Sequence, residues 1–467
     1  MIRVVGHQLR LFPVRTRMPF RYGIASLTQA NHLLLRLELD TDGSHADGFA
    51  ADTLAPKWFA KNPHSIHAED ERDMLEVIRA ACRHAQDAGP SPTVFDLWRD
   101  TYQRQKDWAS ATPHPPLLWG FGVSLVERAM IDAFCRARGL RLRDALVGGG
   151  LGFAPEAIDP ELAGLGIADA IPPEPAVSCL VRHTVGLADP LLDEQIPPDE
   201  RLEDGLPQSL DAAIRRYGLR GFKIKLFGDA ERDLDRLIAV GRILKPLGRF
   251  ACTIDGNENY PDLATFRGFW ERLRRADEVQ PVLRNLHFVE QPLHRDRSLG
   301  PQVARALADW PDHPPLVIDE SDSTTDAFAQ ALETGYSGTT HKNCKGVFKS
   351  LANAALIRRR DPLGRRLILS GEDLTNLPPV ALPQDLAVIA LLGIPHVERN
   401  GHHYFRGLSM LNGPTQDAVL RTYRDLYDPS QRSLQIVDGR LSLVDSASQA
   451  FGHGIDPGLL ATLGEPV

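Results

Sequence analysis

The sequence predicts an α/β fold in which a separate region of strands and helices precedes a closed barrel of seven or eight β/α units. From about residue 177 onward, short β-like runs recur, and most of them are followed by a helical pattern. This alternation is typical of parallel βαβ units, and this many units suffice to close a TIM-type barrel. The chain has 467 residues, which is more than one core usually supports, so we expect two domains.

The region before the barrel begins with β character and continues with helices. Residues 32–39 alternate in part between apolar and polar side chains, and turn-forming residues follow at 41–43. Residues 19–23 lie between strand candidates and predict a loop. Apolar side chains at helical spacing predict helices over 65–84 and 120–138.

Eight runs are candidates for the barrel strands, and the last is the weakest. They are Val177–Val181, Gly221–Leu226, Phe250–Asp255, Leu286–Glu290, Leu316–Asp319, Thr339–Lys342, Leu367–Ser370 and Gly393–Val397. The tail returns to β character at residues 434–443, where Asp438 and Gly439 predict the turn of a hairpin.

The composition narrows the classes of function. A formal net charge of -8 argues against a general nucleic-acid binder, which would carry a basic surplus. No apolar run is long enough to span a bilayer, and polar residues interrupt the N-terminal segment where a signal peptide needs an apolar stretch. The five cysteines are scattered without a C-x-x-C pair, so we expect reduced thiols in a cytoplasmic protein.

The second strand candidate carries two lysines, Lys223 and Lys225. Because they are two residues apart on a strand, their side chains project from the same face. Ammonium groups on an apolar element are costly unless they are paired or used. An edge strand with two solvated lysines is the alternative interpretation.

The next three strand candidates each end in a carboxylate, at Asp255, Glu290 and Asp319, and the sixth candidate again ends in a lysine. In (β/α) barrels the active site lies at the C-terminal ends of the strands. Three carboxylates that meet there repel one another unless a cation lies between them, and Mg²⁺ suits oxygen ligands. For any one of these acids alone, a helix N-cap or a solvated loop is the better explanation.

The ordered series resembles the enolase superfamily, in its mandelate racemase/muconate lactonizing enzyme-like branch with a Lys-x-Lys motif. The motifs are Lys-x-Lys at 223–225, Asp-x-Asn at 255–257, Glu-Gln-Pro at 290–292, Asp-Glu-Ser at 319–321 and a sixth-strand lysine. Residues 124–134, followed by Leu-Val-Gly-Gly at 146–149, are similar to the last cap helix of that family. Residues 367–373 contain no histidine, which favours the two-lysine branch over one that uses a His–Asp dyad.

The resemblance implies an α+β capping domain over residues 1–150, a barrel over 170–405 and a C-terminal segment, 406–467, that returns to the cap. It also implies Mg²⁺-dependent removal of a proton α to a carboxylate through an enediolate. Racemisation or epimerisation, elimination (dehydration) and cycloisomerisation all begin with that step. We expect a small carboxylate substrate and a homo-oligomer, with no nucleic-acid or membrane partner. A Schiff-base barrel lyase or aldolase and a catalytically silent barrel acting as a binding subunit are the alternatives.

The resemblance also implies roles for the acidic and amide side chains. Asp255, Glu290 and Asp319 correspond to the three metal ligands, and Asn257 and Glu320 to supporting residues that orient them. Because Asp319 and Glu320 are adjacent, the third ligand is open to a one-residue error.

For the lysines, the resemblance implies that Lys225 is the general base on one face of the substrate and Lys342 the acid/base on the opposite face. Lys223 would hold or polarise the substrate carboxylate. The family usually carries a pair of glycines after the sixth-strand lysine, whereas only Gly346 follows here. A shift of register would make Lys345 the acid/base, although we prefer Lys342.

Substrate choice is expected to depend on loops of the cap. Phe20, Arg21 and Tyr22 fall in the loop that covers the barrel mouth in such proteins, although surface packing explains them equally well. Residues 395–405 are unusually polar and aromatic, which predicts either a solvated loop or a wall that contacts the substrate.

Overall fold

A computed structural model of the chain describes residues 1–364 and 366–467. The N-terminal region is an antiparallel sheet of β1 (Ile2–Tyr22), β2 (Ala25–Thr41) and β3 (Ser44–Thr53). The prediction of a loop at residues 19–23 is wrong, because β1 extends to Tyr22 and Phe20 pairs with Leu27 of β2. Phe20 and Tyr22 are buried while Arg21 between them is exposed, as expected for a strand with one covered face.

Helices cover one face of this sheet and lead into the barrel. They are α1 (His67–Asp87), α2 (Val94–Ala109), α3 (Pro116–Arg138), α4 (Leu142–Val147) and α5 (Ile167–Ala170). The helices predicted over 65–84 and 120–138 are confirmed as α1 and α3. Two glycines allow α3 its close packing: a Cβ on Gly48 would lie 2.0 Å from the Ala129 carbonyl oxygen, and one on Gly122 would lie 2.4 Å from that of Val77.

Eight parallel strands form the barrel, in chain order, and the last pairs with the first. They are β4 (Ser178–Val185), β5 (Gly221–Lys225), β6 (Ala251–Asp255), β7 (Leu286–Glu290), β8 (Leu316–Ile318), β9 (Gly338–His341), β10 (Ile368–Gly371) and β11 (His396–Arg399). Each of the eight strand candidates overlaps one of these strands. The predicted fold class, a (β/α) barrel behind an N-terminal sheet domain, is confirmed.

The helices that follow β4 onward surround the barrel or extend its loops. They are α6 (Leu210–Tyr217), α7 (Ala230–Leu244), α8 (Leu263–Arg275), α9 (Gln280–Leu283), α10 (Arg295–Ser298), α11 (Pro301–Ala308), α12 (Ala327–Thr334), α13 (Val347–Arg360), α14 (Ala381–Leu392), α15 (Gly401–Tyr404) and α16 (Gly413–Thr422). Side-chain caps begin several of them: Asp229 accepts from the amides of Glu231 and Arg232, and Asp262 accepts from that of Thr265. No helix within the two described ranges has both the length and the apolarity of a bilayer span.

The tail contacts both parts of the molecule. It contains β12 (Tyr427–Asp428), β13 (Ser433–Leu434), β14 (Arg440–Ser442), α17 (Val444–Ser448), α18 (Pro457–Leu460) and β15 (Glu465–Pro466). The predicted Asp438-Gly439 turn is present and is closed by an antiparallel bridge between Val437 and Arg440. The pairing extends no further along residues 434–443, because β13 pairs with β12 whereas β14 pairs with the start of β4. At the end of the chain, β15 joins the N-terminal sheet beside β1.

Candidate functional site

The strand register brings the predicted site residues to one end of the barrel. Lys225, Asp255 and Glu290 are direct neighbours across β5, β6 and β7. Asp319 follows β8 and Lys342 follows β9, at the same C-terminal end. Since β5 and β9 are the second and sixth of eight strands, they lie opposite each other across the barrel.

Lys223 lies inside the barrel, fully buried, at the centre of a carboxylate cluster. Its ammonium nitrogen donates to Glu290 at 2.9 Å, to Glu372 at 2.8 Å and to Glu398 at 2.9 Å, and it lies 3.2 Å from Asp255 Oδ2. Burial alone lowers the pKa of Lys223, but these negative charges outweigh it and raise the pKa well above its usual value. These carboxylates therefore favour the ammonium form of Lys223.

Two of these partners, Glu372 and Glu398, were not predicted as site residues. Glu372 follows β10 and is paired with the buried guanidinium of Arg182, which also donates to Thr253 Oγ1 at 2.8 Å. Glu398 lies in β11 and accepts from Thr184 Oγ1 at 2.8 Å. The sequence feature that predicted Asp255, an acidic residue at the end of a barrel strand, is also present at Glu372 and Glu398, which lie at the ends of the seventh and eighth strands.

The two proposed proton-transfer lysines are each paired with a different carboxylate. Lys225 donates to Asp255 Oδ2 at 2.7 Å, and Lys342 donates to Asp319 Oδ2 at 2.5 Å. Burial lowers the pKa of Lys342, but the charge of Asp319 outweighs it and the net shift is upward. Both side chains are almost completely enclosed.

Lys345, the alternative to Lys342, has a different environment. It donates to Thr340 Oγ1 at 2.7 Å and lies 3.2 Å from Asp319 Oδ1 and 3.5 Å from Asp322 Oδ2. The Lys345 ammonium therefore lies below the barrel mouth, and its partners are side chains of the protein itself. Lys342 instead lies 4.4 Å from the centre of the Trp58 ring, which belongs to the N-terminal region above the barrel.

Asn257 and Glu320 join the loops that follow β6 and β8. The Asn257 amide donates to Glu320 Oε1 at 2.8 Å, and its backbone N–H donates to Asp255 Oδ1 at 2.7 Å. Asn257, Glu258 and Gln291 have positive φ angles of 46°, 63° and 35°, which cost energy in residues other than glycine and cluster at functional sites.

Gln291 is a further residue whose contacts support the site. Its side-chain oxygen accepts from the backbone N–H of Asp319 at 2.8 Å and of Ser321 at 3.2 Å. Its nitrogen donates to Ser321 Oγ and to Ser298 Oγ. The amide therefore fixes the backbone that carries Asp319 to the end of the neighbouring strand.

The chemistry of the carboxylate cluster fits a hard divalent cation. Its donors are oxygens, and in the described ranges Glu320 Oε2 and Asn257 Oδ1 have no hydrogen-bond partner. Burial first, and then the charges of Asp319, Glu258 and Asp255, raise the pKa of Glu320 to about 7. The carboxylates around Glu320 therefore have too few positive charges near them to balance their own.

The side chains are nevertheless paired with lysines rather than grouped around a metal position. Among the described residues, no three His, Cys, Asp or Glu side chains are arranged to hold a metal ion. The ammonium of Lys223 lies against Asp255 and Glu290, and that of Lys342 lies against Asp319. A cation at these carboxylates would replace ion pairs that the protein makes internally.

Solved structures provide the comparison for this architecture, since the sequence matches no family model and no curated protein. A muconate lactonizing enzyme from Pseudomonas fluorescens, complexed with muconolactone, has a TM-score of 0.59 at 16% identity over 99% of both chains. An enolase from Bradyrhizobium, complexed with magnesium and mandelic acid, has a TM-score of 0.59 at 14% identity over 99% of both chains. An N-succinyl Arg/Lys racemase from Bacillus cereus has a TM-score of 0.59 at 14% identity over 87% of this chain and 89% of that one.

The chain has the fold of these proteins. At such low identity the likeness concerns the fold alone, because many unrelated functions share barrel folds.

A loop of the N-terminal region, residues 54–62, covers the barrel mouth. The guanidinium of Arg295 donates to the carbonyl oxygens of Phe59 at 3.0 Å and Trp58 at 2.8 Å, and it is paired with Glu258 at 2.7 Å. Lys61 donates to the Asn257 carbonyl oxygen at 2.7 Å. These contacts hold the Trp58 ring over Lys342 and exclude water from it.

The three predicted specificity residues have separate surroundings. Phe20 is stacked on Tyr404 with ring centroids 4.1 Å apart, and the Tyr22 hydroxyl donates to the Pro56 carbonyl oxygen at 3.0 Å. Arg21 lines a cavity of about 730 Å³ between the tip of the β1–β2 hairpin and the segment that follows β4. Packing accounts for the two aromatic residues, and Arg21 is the member of the three that faces open space.

Residues 395–405 do not form the solvated loop that was the first interpretation. They comprise β11 and α15, and Glu398, Arg399, His403 and Tyr404 are buried. The polar side chains are accommodated because they pair with buried groups of other elements. Arg399, for example, is paired with Asp385.

Proposed function

We propose that this chain is a member of the enolase superfamily and removes a proton from the carbon α to the carboxylate of a small substrate. The observation that carries the proposal is the pair of Lys225 and Lys342, which end opposite strands of the barrel and are each paired with a different carboxylate. A substrate between them would present opposite faces of its α-carbon to the two lysines. Such a pair supports racemisation or epimerisation, elimination and cycloisomerisation.

Asp255, Glu290 and Asp319 are the residues that would hold Mg²⁺, with Asn257 and Glu320 as supports. When bound, Mg²⁺ supplies positive charge that stabilises the extra negative charge on the substrate carboxylate after the α-proton has left.

Lys225 is proposed as the base. Burial lowers its pKa, as does the charge of Lys223, whereas the carboxylate of Asp255 raises it, and the net shift in this arrangement is upward. If Asp255 turned to another partner, the main cause of the rise would be lost, and Lys225 would come closer to the neutral amine that a base requires. Lys342, held as an ammonium by Asp319, suits the group that delivers a proton from the other side.

Two further observations support this reaction class. The solved neighbours include proteins complexed with muconolactone or mandelic acid, and one that is a racemase of N-succinyl Arg/Lys, which favours a small carboxylate substrate here. The second is the set of carboxylates at the ends of neighbouring strands, because a Schiff-base reaction needs no such oxygens whereas a cation that stabilises charge on a carboxylate does.

Exchange of α-protons with solvent tests the proposal without knowledge of the final product. Acid sugars, dipeptides and N-acyl amino acids are incubated with the protein and Mg²⁺ in D₂O, and α-deuterium incorporation is measured by mass spectrometry. We expect exchange in at least one class, its loss with EDTA and its return with excess Mg²⁺. Lys225→Met should slow exchange by about 10²-fold or more for one enantiomer only, since the lysine on the other face remains.

Asp255→Asn should slow exchange of both enantiomers, because both depend on the same carboxylate cluster. Lys245→Met, which changes an exposed lysine, is the matched control and should retain full exchange. Full exchange by both Lys225→Met and Asp255→Asn on an accepted substrate would contradict the proposal. Trapping of a carbonyl substrate by borohydride would favour the imine alternative.

A further inference from the structure

The hydrogen bonds of Lys223 leave it no free donor. An ammonium group has three N–H donors. Three carboxylates, those of Glu290, Glu372 and Glu398, accept from it at 2.8 to 2.9 Å. The nitrogen is also completely buried. A substrate carboxylate could therefore bind Lys223 only by displacing a protein carboxylate from it.

The partners of Lys223 come from two sides. Asp255 and Glu290 end the third and fourth strands, whereas Glu372 and Glu398 belong to the ends of the seventh and eighth. Only the first two are among the proposed metal ligands. If they turned toward a cation, the other two would still hold the ammonium.

Glu372 and Glu398 are themselves fixed by neighbours. Glu372 accepts from Ser370 Oγ at 2.7 Å and is paired with Arg182, which donates to the Gly371 carbonyl oxygen at 2.7 Å. Glu398 accepts from Thr184 Oγ1. All of these side chains are buried, and their other hydrogen bonds favour the present positions of the two acids.

We infer that Glu372 and Glu398 are positioning residues that retain the Lys223 ammonium inside the barrel, so that it does not compete with a divalent cation for Asp255 and Glu290. In this assignment Lys223 stays paired with Glu372 and Glu398, a role in addition to the substrate contact that the family resemblance implied. The statement that Lys223 would otherwise compete with a cation rests on the proposed function. The statement that Glu372 and Glu398 retain Lys223 does not depend on it.

Retention is tested by a double-mutant cycle on thermal stability. Glu398→Gln should lower the Tm of the otherwise unchanged protein, because Lys223 loses a charged partner. In a Lys223→Met background the same change should raise the Tm, because it removes one of the carboxylates left without a counter-charge. Glu372→Gln is not used in this cycle, because Glu372 keeps Arg182 as a counter-charge in the Lys223→Met background.

Asp189→Asn is the matched control for this cycle. Asp189 is also buried, but it accepts from Tyr404 and the Gly186 amide rather than from Lys223, so its effect on the Tm should have the same sign in both backgrounds. If Lys223→Met does not fold, Glu398→Gln should restore folding. Equal effects of Glu398→Gln in both backgrounds, or no rescue of an unfolded Lys223→Met by Glu398→Gln, would overturn the inference.

The effect on cation binding is measured by calorimetric titration with Mg²⁺ alone. Glu372→Gln and Glu398→Gln should each weaken Mg²⁺ binding by about 10- to 100-fold, the range seen when an outer partner of a metal site is removed. Asp189→Asn should leave it unchanged. Unchanged Mg²⁺ affinity in both glutamate variants would overturn the positioning role, whereas a failure of the original protein to bind Mg²⁺ would overturn the proposed function and leave the stability cycle as the test of retention.

Discussion

Two lysines three residues apart, Lys342 and Lys345, differ in what surrounds them. Lys342 faces the mouth, between Asp319 and the Trp58 ring. Lys345 is surrounded by Thr340, Asp319 and Asp322, which use its N–H donors within the protein. The geometry therefore favours Lys342 for proton transfer and Lys345 for holding the strand end together.

Substitution by methionine separates the two roles, because it keeps most of the length of the side chain and removes its charge. Lys342→Met should slow α-proton exchange on one face by about 10²- to 10⁴-fold, the usual contribution of a general acid or base, and this slowing is what distinguishes it from Lys345→Met, because both changes remove a buried partner of Asp319 and lower the Tm. Lys345→Met should lower the Tm, because Asp322 and Thr340 lose a buried partner. Exchange is measured in D₂O and stability by thermal unfolding, and the reverse pattern would assign the acid/base role to Lys345.

At the scale of elements, α3 of the cap and α13 of the barrel meet at one buried carboxyl group. Glu127 in α3 accepts from the Phe348 backbone N–H at 2.6 Å, at the start of α13. Gly346 precedes that helix with φ of 105°, and a Cβ there would lie 2.9 Å from Glu127 Oε2. A side chain at position 346 would separate the two helices.

Burial raises the pKa of Glu127 from 4.5 to about 7, against the smaller lowering effects of the Phe348 and Val347 amides, Arg128 and Lys349. The folded protein therefore holds a proton that the unfolded chain has lost, and this lowers stability as the pH rises from about 4.5 to about 7. Glu127→Gln should match the original protein near pH 4.5 and exceed its stability above pH 7 by up to about 3 kcal/mol.

Urea unfolding at several pH values between 4.5 and 8 measures this difference. Glu203→Gln changes an exposed glutamate and is the control, with no pH-dependent difference expected. Because other groups also titrate in this range, the comparison is between each variant and the original protein at the same pH. A constant difference for Glu127→Gln across the range would show that Glu127 is ionised in the folded state.

At the scale of the whole molecule, the N-terminal region closes the barrel mouth through residues 54–62. Arg295 fastens this loop by its bonds to two backbone carbonyl oxygens and to Glu258. The proposed lysines lie beneath it and are nearly inaccessible. A substrate that reached the proposed lysines would have to displace this loop.

Arg295→Met should free the loop without disturbing the barrel. We expect amide hydrogen exchange in residues 54–62 to become faster by about tenfold or more, since each charge-assisted hydrogen bond contributes about 1.5–3 kcal/mol. Mass spectrometry of peptides from that loop measures the rate. Arg267→Met removes a half-buried arginine that pairs with Glu271, away from the loop, and should leave the loop unchanged. Unaltered exchange in Arg295→Met would mean that other contacts keep the loop closed.

The sequence determined the barrel and the residues at its mouth. Alternating strand and helix patterns permit few topologies, and a closed parallel barrel brings every strand end to the same rim. Asp255, Glu290 and Asp319 could therefore be expected near one another although they are far apart in the chain. Local sequence patterns were enough to predict this site, because the barrel topology brings the ends of the strands together.

Only the tertiary structure decided which charged groups pair. Lys223 meets Glu372 and Glu398 across 149 and 175 residues of sequence, and residues 395–405 are polar yet buried because their partners lie on other elements. No local pattern carries such pairing. A buried charge is tolerated only where a specific opposite charge lies within hydrogen-bonding distance, and that distance is set by the packing of the whole barrel.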